Sequence, residues 1–168
     1  MVDLESIIQD TKYMYYENTH TSIVTLVDTY GRQYTGVAML ADEDEDMASE
    51  YTGQSIAETR AFIEFYKRWI SCELKPQLRA LEQLYYSMDR SKKYNGGHYE
   101  AYMLNRAIKR TKEDIVSCKE AIDNLKNYLS FYIEEKEKLY QRIRSNNKIK
   151  ELLEEDTNYQ PDDLADID

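Results

Sequence analysis

Two arginines four residues apart, Arg106 and Arg110, follow two tyrosines, Tyr99 and Tyr102, in the stretch KYNGGHYEAYMLNRAIKR (93–110). Residues three and four apart share a helix face. Two guanidinium forks on one face suit a phosphate or pyrophosphate, which such forks hold bidentately. Across the Gly96-Gly97 bend, Tyr85 and Tyr86 end the preceding helical pattern, and Asn95 carries an amide able to read a base edge. Aromatic plane, amide and arginine pair are the parts of a nucleotide site. The plain alternative stays open: Lys109 and Arg110 pair with Glu113 and Asp114, and the tyrosines are core.

No other constellation points to catalysis. The sequence holds no Gly-rich phosphate loop, no nucleophile elbow and no HExxH. His98 beside Glu100 reads as a surface residue of a turn. Cys72 and Cys118, with His20 and His98, match no zinc or redox spacing, so both cysteines read as reduced core or groove thiols in a cytosolic protein. No catalytic residue, metal or cofactor is assigned.

Composition narrows the classes. The chain has 168 residues and is 42% hydrophobic, enough for one domain with a real core; 32% charged residues with five Gly and two Pro mark it as helix-rich and ordered. The net charge of −10 argues against wrapping duplex nucleic acid but leaves room for a small anion in a local basic pocket. The opening MVDLESIIQDTK lacks a signal peptide's basic start and apolar core. No apolar run approaches the roughly 20 residues that span a bilayer. These readings place the protein in the cytoplasm. Sixteen tyrosines offer broad apolar faces with polar tips, useful at interfaces and under stacked rings.

The elements that must position the site follow from periodicity. HTSIVTLVD (20–28) and QYTGVAML (33–40) read as strands joined by a turn at Gly31, with KYMYYEN (12–18) as a third. Gly36 inside a strand marks a bulge or a close approach of another backbone. Asp42–Asp46 is an acidic run that reads as a loop. From about Ser55 to Arg90 the apolar spacing is helical, with Pro76 expected to kink or split the helix near Glu73–Lys75. A second helix is predicted from about Tyr99 to Asn146. Its seam runs through Leu104, Ile108, Thr111, Ile115, Cys118, Ile122, Leu125, Leu129, Tyr132, Lys136, Leu139 and Ile143 in steps of three and four, as in a coiled coil. Some 45 residues would make a rod of about 70 Å, longer than three short strands can cover. The seam must then meet the first helix, another subunit, or both, and a dimer is the simplest oligomer. The expected architecture is α+β: a small N-terminal antiparallel sheet with its acidic loop (1–51), a long antiparallel helical hairpin (52–156) and a loose acidic tail (157–168). NKIKELLEED (147–156) either extends the second helix or forms a separate turn.

This order of elements over residues 12–146, with YTGVAMLADEDEDMASEYTGQSIAETRAF (34–62), resembles the first Thoeris anti-defence family of phage proteins. The resemblance implies a nucleotide sponge that sequesters a cyclic ADP-ribose isomer made by bacterial TIR immune proteins, without degrading it. It also implies cyclic oligonucleotides as a second ligand class and a homo-oligomer, a dimer or a hexamer, with the pocket between subunits. By resemblance, Arg60 in ETRA is the arginine at the start of the first helix. Tyr85 is the late aromatic, standing where a Phe is expected. Asn95 is the asparagine of the bend, and Arg106 and Arg110 are the arginine pair. An acidic, DNA-mimicking inhibitor of a nuclease or CRISPR effector is the competing reading, resting on Asp42–Asp46 and the tail. A ligand-free structural coiled coil is the third.

Overall fold

The computed structural model describes residues 5–40, 47, 49–90 and 98–157. The expected acidic loop at Asp42–Asp46, the Asn95-Gly96-Gly97 bend and the tail from 158 onward lie outside them. The architecture is α+β. Three strands, β1 (Ile8–Tyr16), β2 (Thr21–Asp28) and β3 (Gln33–Met39), form an antiparallel sheet in the order β1-β2-β3. Helix α1 (Glu50–Trp69) passes through a π-helical turn (Ile70–Leu74) into α2 (Lys75–Arg90), and α3 (His98–Thr157) follows.

The alternation of β2 and β3 sets the sheet's buried face. Ser22, Val24, Leu26 and Asp28 of β2 share it with Tyr34, Gly36 and Ala38 of β3, all buried. Cross-strand partners Val24↔Gly36 and Leu26↔Tyr34 fix the register. Helix α1 covers this face, capped by Ser49, whose Oγ accepts from the Thr52 backbone N–H at 3.3 Å. Gly36 is the point of closest approach: a Cβ there would lie 1.9 Å from the Ala57 carbonyl oxygen and 2.5 Å from the Ala61 nitrogen. Of the two roles expected for this glycine, backbone contact is the one used. Phe65 meets Tyr34 edge-on, with centroids 5.1 Å apart, and closes the core beside Trp69.

In place of the kink or split expected near Glu73–Lys75, the helix runs on through a π-helical turn just upstream of Pro76. The ring removes an N–H and crowds the carbonyl four residues back. The chain relieves this with a widened turn at Ile70–Leu74, in which the Lys75 N–H reaches the Ile70 carbonyl five residues back. Cys72 rides exposed on this turn and is not the core or groove thiol expected from sequence. Cys118 is buried, its thiol pushed above the usual range by burial and then by Asp114.

The chain divides into two compact units, with the division inside α3 between Leu129 and Ser130. In the first, the predicted seam turns inward. Cys118 and Ile122 join Ile63, Tyr66, Ile70 and Leu74 in one core, with Ile115, Leu125 and Leu129 packed against it. The salt bridge from Lys112 to Glu82, 3.0 Å, ties α3 to α2. The seam therefore finds the first helix of its own chain. In the second unit Leu139 and Ile143 of the predicted seam are exposed, whereas Tyr140 is buried.

Three boundaries differ from the periodicity. β1 starts at Ile8, because backbone pairing with β2 continues through the polar run Asp10–Lys12. α1 starts at Glu50, where Ser49 supplies the cap. α3 runs past 146 through NKIKELLEED to Thr157, so of the two readings left open for that segment the extension is the one found, since nothing there breaks a helix.

Candidate functional site

The expected site residues fall into three places. Arg60 stands on α1, exposed, and donates from Nη1 to the Val37 carbonyl on the edge strand β3. Tyr85 is half-buried on α2, edge-on to Tyr86 with centroids 6.1 Å apart. Tyr99 and Tyr102 are 71% and 62% exposed on the first turns of α3, with Arg106 and Arg110 exposed beyond them. Asn95 lies outside the described residues.

Helical phase decides which of these meet. At 3.6 residues per turn, the inward seam of α3 runs through Ile108, Thr111, Ile115, Cys118 and Ile122. Tyr99, Tyr102, Arg106 and Arg110 lie on the opposite side of the helix and share one outer face. Tyr85 occupies the same side of α2 as Glu82, which faces α3 through Lys112. The ring of Tyr85 and the arginine pair are thus separated by the body of α3. Arg60 is farther still: 22 residues precede Glu82, about 33 Å along the helix. One protomer brings the tyrosine–arginine stripe together and leaves Arg60 and Tyr85 apart from it.

The stripe's charges are unengaged. Lys109 approaches Glu113 at 3.9 Å, so half of the plain alternative holds. Among the described residues, however, Arg106 and Arg110 make no ion pair or hydrogen bond. Three other arginines of this unit have partners: Arg32 with Asp28 and Glu73, Arg60 with Val37, Arg68 with Glu64 at 3.0 Å. An open groove of about 700 Å³ runs along the adjoining flank of α3, lined by Asn105, Ile108, Lys109, Lys112, Glu113, Val116, Ser117 and Glu120. A second open one, more polar, lies at the end of the sheet beside Tyr15, Tyr16 and Glu50.

Sequence reasoning missed one polar cluster. Asp28, fully buried, accepts from the backbone N–H groups of Tyr30 and Arg32, both at 2.9 Å, from Arg32 Nε at 2.9 Å and from the Tyr34 hydroxyl at 2.8 Å. Arg32 also reaches Glu73 on the π turn and lies 4.9 Å from the Tyr30 ring and 5.9 Å from the Trp69 ring. Burial pushes the Asp28 carboxyl up. The donors from Arg32, Tyr34 and Tyr30 outweigh it and hold the group below the usual carboxylate range. Tyr34 is pushed up to about 12, by burial first and then by its bond to Asp28. A carboxylate with four donors has no lone pair left for a substrate proton. The cluster closes the β2–β3 turn and pins it to the helix layer. The turn sequence DTYGR carried the signal, since an Asp at a turn's first position bonds backbone two residues on.

What these elements define is an α+β protein whose helical hairpin carries an outward aromatic and cationic stripe. No protein-family model, curated protein or solved structure matches this chain.

Proposed function

We propose that this protein binds and sequesters a small phosphorylated nucleotide of the cyclic ADP-ribose class, holding it intact, and so blocks TIR-based Thoeris signalling. The observation that supports this most is the state of Arg106 and Arg110. In a chain of net charge −10, two guanidinium groups one turn apart stand exposed and make no ion pair among the described residues, next to two exposed tyrosine rings. Unpaired forks at this spacing are suited to a pyrophosphate, and the neighbouring rings to an adenine. One protomer presents the phosphate-binding half only. Arg60, Tyr85 and the polar edge-reading group join it only from a second protomer, so the ligand-bound form is an oligomer. Two or three charge-assisted forks and one stacked base are compatible with affinity on the order of nanomolar.

Isothermal calorimetry with purified cyclic ADP-ribose isomers tests the reading. Binding without turnover is expected, the ligand being recovered intact on heating. Arg106→Ala or Arg110→Ala lowers affinity at least tenfold and leaves the melting temperature unchanged. Equal binding by the double alanine variant removes this placement of the site. Absence of heat with every cyclic nucleotide removes the function.

A further inference from the structure

We infer that the acidic segment 158–168, NYQPDDLADID, docks back on the last part of α3, where Asp163 and Asp166 meet Lys150 and Arg142 and Ile167 covers Ile143. Charge carries the inference. Between Glu137 and Glu151 the helix holds Lys138, Arg142, Arg144, Lys148 and Lys150 and no carboxylate, in a chain of net charge −10. Lys138 is engaged by Glu134 at 2.8 Å and by Glu135 at 3.2 Å. Arg142 has Lys138, Leu139, Ser145 and Asn146 three and four residues away, so no carboxylate stands beside it on the adjoining turns. The segment after Thr157 carries Asp162, Asp163, Asp166 and Asp168 and no cation. The basic stretch and the acidic segment belong to the same compact unit.

Helical phase puts Leu139, Arg142, Ile143, Asn146 and Lys150 within about 100° of one another on one face. All five are exposed, Leu139 at 45% and Ile143 at 37%. An apolar pair flanked by two cations suits a segment that mixes acidic and apolar residues, and Asp163-Leu164-Ala165-Asp166-Ile167 is one. The reach agrees. From Thr157, where α3 ends, the way back is about 10 Å to Lys150 and about 22 Å to Arg142 at 1.5 Å per residue. Asp163 and Asp166 follow Thr157 by enough chain for about 20 Å and 30 Å when extended, so each spans its return with length left for a turn. Pro161 gives the chain a reason to turn: it has no N–H for a helical bond, and it disfavours helix at Gln160. A tether this short keeps the segment at an effective concentration on the order of millimolar. Contacts too weak to hold a free peptide then suffice. Docked there, the segment keeps the basic stretch from other polyanions.

The inference uses no residue of the nucleotide site, and its test contains no nucleotide. Backbone amide relaxation, measured by NMR on the ligand-free full chain at low salt, reads it directly. The amides of Leu164–Ile167 are expected to show order parameters of about 0.8, as in a folded backbone. Tenfold dilution leaves them unchanged, because the contact lies within one chain. Arg142→Glu sets like charges together and lowers them below about 0.6, the range of a flexible segment. Ile143→Ala, which leaves every charge in place, lowers them by less. Arg142→Glu combined with Asp166→Arg restores the parent values. Raising the salt loosens the segment, since the ion pairs are exposed. Arg142 and Ile143 are exposed on the helix, so helical circular dichroism stays unchanged in every variant. Four results would overturn the inference: a parent segment below about 0.6, order that survives Arg142→Glu, a double variant no more ordered than the single one, or order lost on dilution, the mark of docking on another molecule.

Discussion

At the β2–β3 turn, Arg32 donates to Asp28 and Glu73 and lies against two aromatic rings. On the outer face of α3, Arg106 and Arg110 have no such partner among the described residues, and their neighbouring tyrosines are exposed. The same residue types serve different ends. In the first region Arg32 spends Nε and Nη1 inside the fold and ties the strand turn to the helix layer. In the second the fold gains nothing from the arginines, which leaves them available to something outside the protomer. A protein of this acidity could have neutralised them with a nearby carboxylate, as it did for Arg68 and Lys112.

The largest expected effect lies where the two layers touch. Gly36→Ala drives a Cβ into the α1 backbone at Ala57 and Ala61, and neither carbonyl nor amide can rotate away. The loss is about 3 kcal/mol or more, read as a fall in the urea midpoint or as failure to accumulate folded protein. By contrast, Arg106→Ala and Arg110→Ala change stability by at most about 0.5 kcal/mol. If Gly36→Ala were harmless, the layer contact would be looser than described, and the contrast between a rigid region and an available one would fail.

Asp28→Asn comes next. It leaves the partly exposed Arg32 against a neutral amide and forces a buried N–H donor toward groups that already donate. A cost of about 3 kcal/mol is expected. The pH dependence has a definite sign. The folded carboxyl titrates below its unfolded value, so its contribution is fully present above about pH 4 and is lost as pH falls through the folded value. Melting temperature measured from pH 6 to pH 2 should fall more steeply for the parent than for Asp28→Asn. Parallel curves would mean that Asp28 is not the group being protonated.

Much of this architecture was legible in the residues, for local reasons. β-branched alternation gave β2 and β3, the glycines gave the turn at Gly31 and the contact at Gly36, and Pro76 announced an irregularity in the first helix, which is a π-helical turn. The three-and-four spacing of α3 named the seam that turns inward as far as Leu129. What could not be read depends on distant partners. Glu73 meets Arg32 from 41 residues away, and Arg60 is taken up by a strand carbonyl 23 residues upstream. Nor could spacing tell that Tyr85 faces α3 while the arginines face away. That takes the Lys112–Glu82 bridge, which orients α2 against α3.

The smallest expected effect sharpens the contrast from the other side, because the rigid region holds one polar atom it does not use. Ser22 Oγ is fully buried and has no hydrogen-bond partner among the described residues. It sits under α1 at Gly53, where a Cβ would come within 2.3 Å of that oxygen. The close passage of the helix explains both features: Gly53 leaves room for the hydroxyl, and the hydroxyl finds only packed atoms around it. Burying an unpaired hydroxyl costs about 1 kcal/mol or more, whereas an alanine of nearly the same shape has no such penalty. Ser22→Ala should therefore raise stability by up to about 1 kcal/mol in urea titration, with no change in oligomeric state or nucleotide affinity. A clear loss of stability would show that the hydroxyl is satisfied, most simply by a buried water between β2 and α1, and the layer contact would then be wetter than the packing at Gly36 suggests.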